Sequence, residues 1–373
     1  MFTNKKVMMI ATTDNMIWQF LLPHIKHLQE NGNIVEVVCA KTGFWFDELK
    51  EKHNLIVHEI NFARNPLKLS NFKAYKKLKQ LQKERNFDLI YCQQPVGGLM
   101  GRLLGKKFKI PVIYTAHGFH FFNGCSFRNK LIYKNVEKWL SKYTDILITI
   151  NEEDYQNALK MKAKKVFKIN GIGIDENKFN IEKIDKLAFR KELGLGESDK
   201  IVLTVSELNE NKNYITMLKS IKELVKKDNT IKFVSCGTGV WKDKIADFAK
   251  ELGIEDNCVF LGYRKDIGKI MQISDIFLHA SFREGLTLSV MEAMSFGLPC
   301  VVSNVRGNRD LIADGKGGFV VEPEDYLTFA EKIEILIKNH DMYKNFGDFN
   351  KVESKKYLVS EVKKQLEKIY DEV

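Results

Sequence analysis

The sequence predicts an α/β protein made of two doubly wound domains, each with a parallel sheet covered by helices on both faces. Short, almost continuously apolar runs rich in β-branched residues alternate with amphipathic segments, which is the pattern of βαβ units. The alternation stops at residues 170–175, Asn-Gly-Ile-Gly-Ile-Asp, and then starts again. A length of 373 residues is also that of two or three domains.

The first half contains the strands and helices of one complete doubly wound unit. Strands are predicted at residues 6–12, 34–39, 56–60, 88–92, 111–116, 145–150 and 165–169. Amphipathic helices are predicted at residues 15–31, 67–85, 96–108, 127–142 and 152–161. Because parallel strands need a crossover connection, helices between the strands favour a parallel sheet.

The second half repeats the pattern and defines the predicted domain boundaries. Strands are predicted at residues 200–206, 231–236, 258–261, 275–280, 299–303 and 318–321. The predicted organisation is a first domain at 1–170, a connector at 171–195, a second domain at 196–353 and a last helix at 354–373. No strand follows that helix, so we expect it to pack back across the junction. In such folds ligands bind beyond the carboxyl ends of the strands.

Composition excludes several classes of protein. The six cysteines are scattered without a C-x-x-C pair, which argues against a disulfide scaffold and a zinc module and favours reduced thiols. The longest apolar runs are strand-sized, and the N-terminus has no small-residue cleavage site. We therefore expect a cytoplasmic protein, peripheral at most on the inner face of the plasma membrane.

Positive charge is concentrated in the first half. The chain carries a net charge of +11, yet residues 1–170 hold 28 Lys and Arg against 14 Asp and Glu. This asymmetry predicts an anionic partner, which could be nucleic acid, an anionic membrane surface or a phosphorylated substrate. The alternative is a lysine-rich composition without a functional meaning.

Residues 281–294 form the segment with the most chemistry. They follow a predicted strand and open a helix, so the backbone N–H groups of Leu288 and Ser289 form a candidate anion site. Glu284 precedes this site and Glu292 lies about one turn into the helix. Carboxylates repel phosphate but accept hydrogen bonds from sugar hydroxyls, so the arrangement suits a sugar nucleotide. The alternative is an ordinary helix-terminal charge beside a surface glutamate.

This segment resembles the signature of the retaining family-4 glycosyltransferases. The resemblance rests on Glu284-x7-Glu292 within R-E-G-L-T-L-S-V-M-E-A-M, followed by G-L-P-C-V-V. Residues 115–120 resemble the active-site loop of that family, 170–179 the connector, 206–213 the donor-phosphate loop, 237–239 the glycine turn and 262–264 the base-binding turn. Residues 306–310 resemble a stretch of capsule and exopolysaccharide members. The resemblance implies the GT-B fold, with two Rossmann-like domains facing across a cleft.

The family's roles carry over to particular residues. The resemblance implies that Glu284 binds donor-sugar hydroxyls, Lys212 neutralises the leaving diphosphate and His117 lies against the donor. The donor-binding residues implied are Glu292, Gly237, Gly239, Tyr263, Arg264, Gly285, Leu286, Thr287, Leu288, Ser289, Asn213 and Arg283. The acceptor-side residues implied are Asp14, Asn15, Phe119 and His120.

Two departures from the family pattern change what is expected. Glu207 stands where the family usually has an arginine, so Arg283, Arg306 or Arg309 is expected to supply that charge. The first loop, residues 12–16, lacks the paired glycines of many members and is expected to serve the acceptor. No D-x-D motif occurs, so we expect no metal and no cofactor besides the nucleoside-diphosphate sugar co-substrate.

The predicted function is retaining transfer of a sugar from a nucleoside-diphosphate donor, expected to be a UDP-sugar, to a polyprenyl-diphosphate-linked or growing surface-glycan acceptor. A GT-B sugar-nucleotide epimerase and a basic nucleic-acid-binding protein are the alternatives, although the sequence contains no recognisable nucleic-acid module. Helix 67–85 is a candidate membrane contact, with lysines around Leu67, Phe72, Leu78 and Leu81. A solvated helix packed on the sheet would show the same pattern.

Overall fold

The computed structural model describes residues 2–43, 45–63, 68–178 and 184–373. The chain divides into two compact units, the first formed by Met1–Gly173 with Val359–Val373 and the second by Ile174–Leu358. Each unit contains one parallel sheet with helices between its strands. The predicted fold class, two Rossmann-like α/β domains, is confirmed.

The first unit has a seven-stranded sheet in the order β3-β2-β1-β4-β5-β6-β7, with every pair parallel. The chain starts at β1, winds outwards to β3 and then returns to β4 on the other side of β1. The switch between β1 and β4 is where doubly wound sheets bind ligands. All seven strands were predicted, and they span Lys6–Thr13 (β1), Ile34–Ala40 (β2), Ile56–Glu59 (β3), Leu89–Gln93 (β4), Val112–Ala116 (β5), Ile146–Thr149 (β6) and Lys165–Lys168 (β7).

Two helical segments of the first unit, at residues 17–21 and 45–51, differ from the prediction. A π-helical turn at Ile17–Leu21 interrupts the predicted helix 15–31, because Pro23 has no amide N–H to continue the regular ladder. A short helix over Trp45–Glu51 was not predicted, since its mixed aromatic and acidic residues give no clear period. The helices are Asp14–Met16 (α1), Leu22–Glu30 (α2), Trp45–Glu51 (α3), Ser70–Arg85 (α4), Pro95–Phe108 (α5), Phe127–Leu140 (α6) and Glu152–Ala158 (α7).

Helix α4 begins later than predicted and its apolar stripe is narrower. It starts at Ser70, and Leu67 lies outside the described residues. Leu78 and Leu81 are buried as expected, but Phe72 is exposed. Ala74 takes the inward position instead, because it lies one turn before Leu78 on the same face. None of the described helices is both long and apolar enough to cross a membrane.

Helix α5 lies very close to its sheet because glycines face the strands. A Cβ at Gly98 would come within 2.4 Å of the Tyr114 ring, and one at Gly101 within 2.7 Å of the Cys92 Cβ. This close approach buries Arg102, whose guanidinium lies 4.0 Å from the centroid of the Tyr114 ring. The helix is therefore packed directly against β4 and β5.

The second unit has a six-stranded parallel sheet in the order β10-β9-β8-β11-β12-β13. Its strands, all of them predicted, are Lys200–Val205 (β8), Ile231–Cys236 (β9), Cys258–Gly262 (β10), Ile276–His279 (β11), Cys300–Ser303 (β12) and Gly318–Val321 (β13). Its helices are Lys186–Glu192 (α8), Tyr214–Val225 (α9), Lys242–Glu251 (α10), Ile267–Ile273 (α11), Leu288–Ser295 (α12), Asn308–Leu311 (α13), Tyr326–Lys338 (α14) and His340–Ser354 (α15). The switch point lies between β8 and β11, which are neighbours in the sheet.

The predicted final helix 354–373 is two elements. Helix α15 runs to Ser354, a 3₁₀ turn covers Lys355–Tyr357, and a last helix, α16 (Val359–Tyr370), belongs to the first unit. There the Gln365 side chain accepts a 3.0 Å hydrogen bond from the Asn170 backbone. The unit boundaries therefore lie at 173/174 and 358/359 and not at 170 and 353, and the predicted connector 171–195 belongs mostly to the second unit, with residues 179–183 outside the described ones.

Candidate active site

The loops after β8 and β11 bring Lys212 and Glu284 into contact. Lys212 closes a 3₁₀ turn after β8, and its Nζ lies 2.6 Å from Oε1 of Glu284, in the loop after β11. The two loops are also joined by their backbones. The Phe282 N–H donates to the Asn211 carbonyl at 2.8 Å, and the Asn211 side chain donates to the Arg283 carbonyl at 2.9 Å. The fold therefore holds the ion pair in place.

His279, the last residue of β11, is a third member of this group. Its Nε2 donates to Oε1 of Glu284 at 2.9 Å, and its side chain is 1% exposed. Because an ionised carboxylate only accepts hydrogen bonds, Nε2 carries the proton. We did not single out His279 from the sequence. Its position at a strand end, five residues before Glu284, was the available signal.

The charges of this group are set by burial and by the neighbouring residues. Burial alone would raise the pKa of Glu284, but the Lys212 ammonium and the His279 hydrogen bond outweigh it and hold this pKa well below its usual range. Burial lowers the pKa of His279, although the hydrogen bond to Glu284 opposes the shift. At neutral pH Glu284 is therefore a carboxylate and His279 a neutral imidazole.

The start of helix α12 lies directly after Glu284 in the chain. The residue before the helix is Thr287, whose hydroxyl donates to Oδ1 of Asn308 at 2.7 Å, and no side chain caps the helix start. The N–H groups of Leu288 and Ser289 thus stand at an uncapped, electropositive helix end, where anions bind. Glu292 lies one turn further and is half-buried.

Arg306 and Gly307 support the loop that carries Glu284. Arg306 is buried, and its Nε donates to the Glu284 carbonyl at 3.0 Å. Gly307 has φ +80°, and a Cβ there would come within 2.4 Å of the Gly285 carbonyl oxygen. Three arginines were expected to supply the positive charge that is missing at Glu207. Arg306 is hydrogen-bonded to the Glu284 carbonyl, whereas Arg283 and Arg309 are exposed.

The glycine turn packs against the loop that carries Lys212. A Cβ at Gly237 would come within 1.9 Å of the Ser206 carbonyl oxygen, and one at Gly239 within 2.2 Å of the Leu208 carbonyl oxygen. The Gly237 N–H also donates to the Gly262 carbonyl at 2.8 Å. The loops after β8, β9 and β10 are thus packed backbone against backbone.

The predicted base-binding turn offers an aromatic ring and no unpaired cation. Tyr263 is 60% exposed, so its ring is accessible. The Arg264 guanidinium forms two hydrogen bonds with the Asp266 carboxylate, at 2.8 and 2.6 Å. This pairing keeps Arg264 within its own turn.

Three residues predicted to bind the donor have side chains that are held by contacts within the protein. Asn213 is buried, and its amide donates to the carbonyls of Ala280 and Pro323 at 3.0 and 2.7 Å. The Thr287 hydroxyl is held by Asn308, and Leu286 packs against the buried core. These side chains hold the loops together because their polar atoms or apolar surfaces are already used within the protein.

In the first unit, His117 lies where the loops after β1, β4 and β5 meet. Its Nε2 is 2.7 Å from Oε1 of Gln93, at the end of β4. The neighbouring Gln94, at φ +62°, accepts a hydrogen bond from the Thr12 N–H at 3.0 Å. Burial lowers the pKa of His117 to about 4, so the imidazole is neutral at physiological pH.

Two of the predicted acceptor-side residues are also framework residues. The Asp14 carboxylate is buried and accepts hydrogen bonds from the N–H groups of Thr42 and Gly43, both at 3.2 Å. The Phe119 ring is buried and stacks on Phe121, with 4.7 Å between the ring centroids. Asn15 and His120 are half-buried. Among the described residues, no group of three or more His, Cys, Asp or Glu is placed to hold a metal ion.

Two family models match the chain. The model described as Glycosyl transferases group 1 matches residues 185–352, which contain Lys212, His279 and Glu284. The model described as Glycosyl transferase 4-like matches residues 6–151, which contain His117. Each match lies within one of the two units.

Individual relatives agree with these models. EpsD of Bacillus subtilis (strain 168), assigned as a glycosyltransferase, is 32% identical over 98% of this chain and 96% of its own length. The UDP-Gal:alpha-D-GlcNAc-diphosphoundecaprenol alpha-1,3-galactosyltransferase of Escherichia coli is 29% identical over 80% of this chain and 79% of its own. The crystal structure of Anabaena Alr3699/HepE with UDP and glucose shares the fold, with a TM-score of 0.85 and 19% identity over 99% of this chain and 100% of that chain. These matches support neither the epimerase nor the nucleic-acid alternative.

Proposed function

We propose that this chain, which belongs to the family-4 glycosyltransferases, transfers a sugar from a UDP-sugar to a lipid-linked acceptor. The transfer retains the configuration of the sugar. The observation that carries the proposal is the Lys212–Glu284–His279 group beside the uncapped start of α12. It combines a cation and backbone N–H groups for a diphosphate with a carboxylate for sugar hydroxyls.

The diphosphate is assigned to Lys212 and to the N–H groups of Leu288 and Ser289. Departure of a nucleoside diphosphate develops negative charge, and groups already in place stabilise that charge without reorganising. In this structure Lys212 is bound to Glu284. A diphosphate would compete with Glu284 for Lys212, so that the carboxylate becomes available to the sugar as the phosphate arrives.

The two glutamates are assigned to different parts of the donor. Glu284 is held as an anion by its neighbours and would accept hydrogen bonds from the sugar. Glu292, half-buried on α12, would accept them from the ribose hydroxyls. Tyr263 would offer its exposed ring to the base. A UDP donor is supported by the Escherichia coli relative, whose name specifies UDP-Gal.

The proposed reaction is front-side displacement, in which the departing phosphate takes the proton of the acceptor hydroxyl. The bond from the sugar to the diphosphate breaks as the bond to the acceptor oxygen forms on the same face. Retention is supported by the family resemblance. The cationic task at the diphosphate is assigned to Lys212, so the proposal includes no metal ion.

A lipid-linked acceptor is supported by the name of one relative and by the excess of basic residues in the first half of the chain. The Escherichia coli enzyme acts on a diphosphoundecaprenol-linked sugar. Residues 1–170 of this chain carry twice as many basic as acidic residues, which suits a diphosphate-bearing acceptor and an anionic membrane surface. We therefore assign acceptor binding and peripheral membrane association to the first unit.

A donor screen tests the proposal. Release of nucleoside diphosphate is measured for a panel of UDP-, GDP- and ADP-sugars, with and without polyprenyl-diphosphate-linked sugars in detergent. We expect release from a UDP-sugar that rises strongly with a lipid-linked acceptor, and an unchanged anomeric configuration of the transferred sugar by NMR. An inverted product, or release with no dependence on any acceptor, would contradict the proposal.

A further inference from the structure

Helix α6 (Phe127–Leu140) exposes most of its large apolar side chains. Five of them are between 41% and 79% exposed: Phe127, Leu131, Ile132, Val136 and Trp139. We call these five residues the outer face of α6. A surface helix of a globular protein normally buries its apolar side and exposes its polar side. The outer face therefore has no role in the core of the first unit.

The inner side of α6 is held by an ion pair and by two apolar contacts. Glu137 is buried and forms two hydrogen bonds with Arg102 of α5, at 2.6 and 3.1 Å. Leu140 is buried beside it, and Tyr133 is half-buried. A two-point bond to a buried guanidinium fixes the rotation of the helix. The outer face is thus fixed in its outward orientation.

The exposed charges of α6 are all positive. Lys130, Lys134 and Lys138 recur every four residues along one edge of the helix, and Arg128 is exposed as well. Glu137 is the single acidic residue of this helix, and it is buried. Large apolar residues with a cationic edge are the composition of helices that lie in the headgroup region of anionic bilayers.

We infer that the outer face of α6 docks on an anionic lipid bilayer, with the helix lying in the plane of the headgroups. This inference rests on the proposed function, because docking would serve to bring the protein to a lipid-linked acceptor. Residues 117–126 lead from His117 to Ser126, whose hydroxyl caps α6. In this loop, the centroid of the His120 ring lies 5.0 Å from the centroid of the Tyr133 ring of α6. Docking would thus hold the His117 loop next to the surface that carries a lipid-linked acceptor.

Helix α4 presents a second, smaller exposed apolar pair in the same helix layer. Leu69 and Phe72 are exposed at its beginning, followed by Lys73, Lys76 and Lys77. Both α4 and α6 contact α5. Because α4 buries Ala74, Leu78 and Leu81 inwards, its lysines lie on an ordinary solvated side. The inference assigns the main contact to α6.

Vesicle binding by the full chain tests this inference. Sedimentation is measured with phosphatidylglycerol–phosphatidylcholine vesicles and with pure phosphatidylcholine vesicles. The double variant L131Q/I132Q changes two exposed side chains and is compared with L327Q/V352Q, which changes two exposed apolar residues of the second unit. We expect L131Q/I132Q to lower the partition coefficient on anionic vesicles by about tenfold or more, and L327Q/V352Q to leave it unchanged.

Further measurements test the role of the α6 lysines and the insertion of Trp139 into the bilayer. K130Q/K134Q/K138Q is expected to weaken binding to anionic vesicles and to remove its salt dependence. Brominated lipids are expected to quench wild-type fluorescence, with the quenching lost in W139F. The inference is overturned if L131Q/I132Q binds vesicles like wild type. It is also overturned if K73Q/K76Q/K77Q/K79Q on α4 abolishes vesicle binding and the α6 variants do not. A wild-type dimer that L131Q/I132Q dissociates would overturn it as well.

Activity on a water-soluble acceptor and on a vesicle-bound acceptor distinguishes this inference from the proposed function. L131Q/I132Q is expected to keep wild-type turnover on a short-chain, water-soluble lipid-diphosphate acceptor and to lose turnover on the same sugar presented in vesicles. If wild type has no activity on any acceptor but binds vesicles through α6, the proposed function fails while docking stands. If both forms of acceptor are used equally by wild type and variant, docking through α6 is overturned.

Discussion

In the proposed function, the pair of Lys212 and Glu284 combines two tasks that need opposite charges, binding the diphosphate and binding the donor sugar. A carboxylate that is buried alone would be protonated, so the Lys212 ammonium beside Glu284 keeps this carboxylate ionised. His279 adds a hydrogen bond that leaves the remaining oxygen of Glu284 to other partners. The substrate can therefore take over existing interactions without creating new charges.

Lys212→Met tests the electrostatic coupling of this pair. Without the ammonium, burial raises the pKa of Glu284, so the carboxylate becomes protonated at a higher pH than in wild type. We expect turnover to fall on the order of 10²-fold or more, and the acid limb of kcat/KM to move upward by at least about one pH unit. The control is Lys226→Met at the exposed end of α9. An unmoved acid limb with normal turnover would remove the role of Lys212.

His279→Leu tests whether His279 positions Glu284. Loss of a hydrogen bond to a charged group costs about 1.5–3 kcal/mol, so we expect kcat/KM for the UDP-sugar to fall about 10- to 100-fold. Affinity for UDP alone should not change, because only the sugar has lost its oriented partner. His279→Gln keeps an N–H donor and should recover part of the loss. Equal weakening of UDP and UDP-sugar binding would contradict this role.

Glu292→Ala tests the ribose assignment. We expect UDP and UDP-sugar to lose the same affinity, about 1.5–3 kcal/mol, since both contain the ribose. Isothermal titration calorimetry measures both ligands, and Glu331→Ala on the exposed side of α14 is the control. Wild-type affinity for UDP in a folded Glu292→Ala variant would show that the ribose lies elsewhere.

At the scale of elements, the second-unit site depends on loops that touch through their backbones. The turn at Gly237–Gly239 packs on the loop after β8, and Gly307 packs on the loop that carries Glu284. Backbone contacts of this kind leave no room for a Cβ, and they position side chains more rigidly than surface contacts do. The glycines therefore determine where Lys212 and Glu284 lie.

Gly307→Ala tests this packing, and Gly315→Ala is its matched control. Both glycines have a positive φ, at +80° and +73°, but a Cβ at Gly307 would meet the Gly285 carbonyl at 2.4 Å, whereas one at Gly315 would meet nothing within 4 Å. Backbone strain alone costs about 1 kcal/mol. We expect Gly307→Ala to lower the free energy of unfolding by about 1–3 kcal/mol more than Gly315→Ala. Equal losses in denaturant titrations would show that the loops relax freely.

The elements could largely be predicted from the sequence, whereas the contacts of the site could not. All thirteen strands were predicted. The inner strands of each sheet are buried on both faces and so appear as apolar runs, whereas the edge strands β3 and β7 are only partly buried. The π turn before Pro23 and the short helix α3 depend on local bonding that hydrophobic periodicity does not report. The Glu284 motif was recognisable, but its pairing with Lys212 and His279 joins separate loops and depends on the register of β8 and β11. The roles of Asn213, Asp14 and Phe119 in the framework likewise appear only once their partners are known.

At the scale of the whole molecule, the proposed function divides the chemical work between the two units. The second unit holds the cation, the carboxylates and the uncapped helix start proposed for the donor. The first unit holds His117, the excess of positive charge and the outer face of α6. Helix α16 returns the chain to the first unit, where Glu367 lies 2.8 Å from His27 of α2.

Chelation tests the assignment of the diphosphate to protein groups. We expect transfer to continue at the wild-type rate after dialysis against EDTA, because Lys212 and the N–H groups of α12 are proposed to stabilise the leaving group. The measurement is transfer before chelation, after it, and after addition of Mg²⁺ or Mn²⁺. Loss of activity with recovery on adding either ion would contradict the assignment.

The central claim is that a UDP-sugar reacts at the Lys212–Glu284 group. Its most direct test follows transfer of a radiolabelled sugar to a polyprenyl-diphosphate-linked acceptor by wild type, K212M, E284Q and K226M, with folding of each checked by thermal unfolding. We predict that wild type and K226M transfer at similar rates, and that K212M and E284Q are slower by about 10²-fold or more. Folded K212M and E284Q proteins that transfer at the wild-type rate would contradict the account.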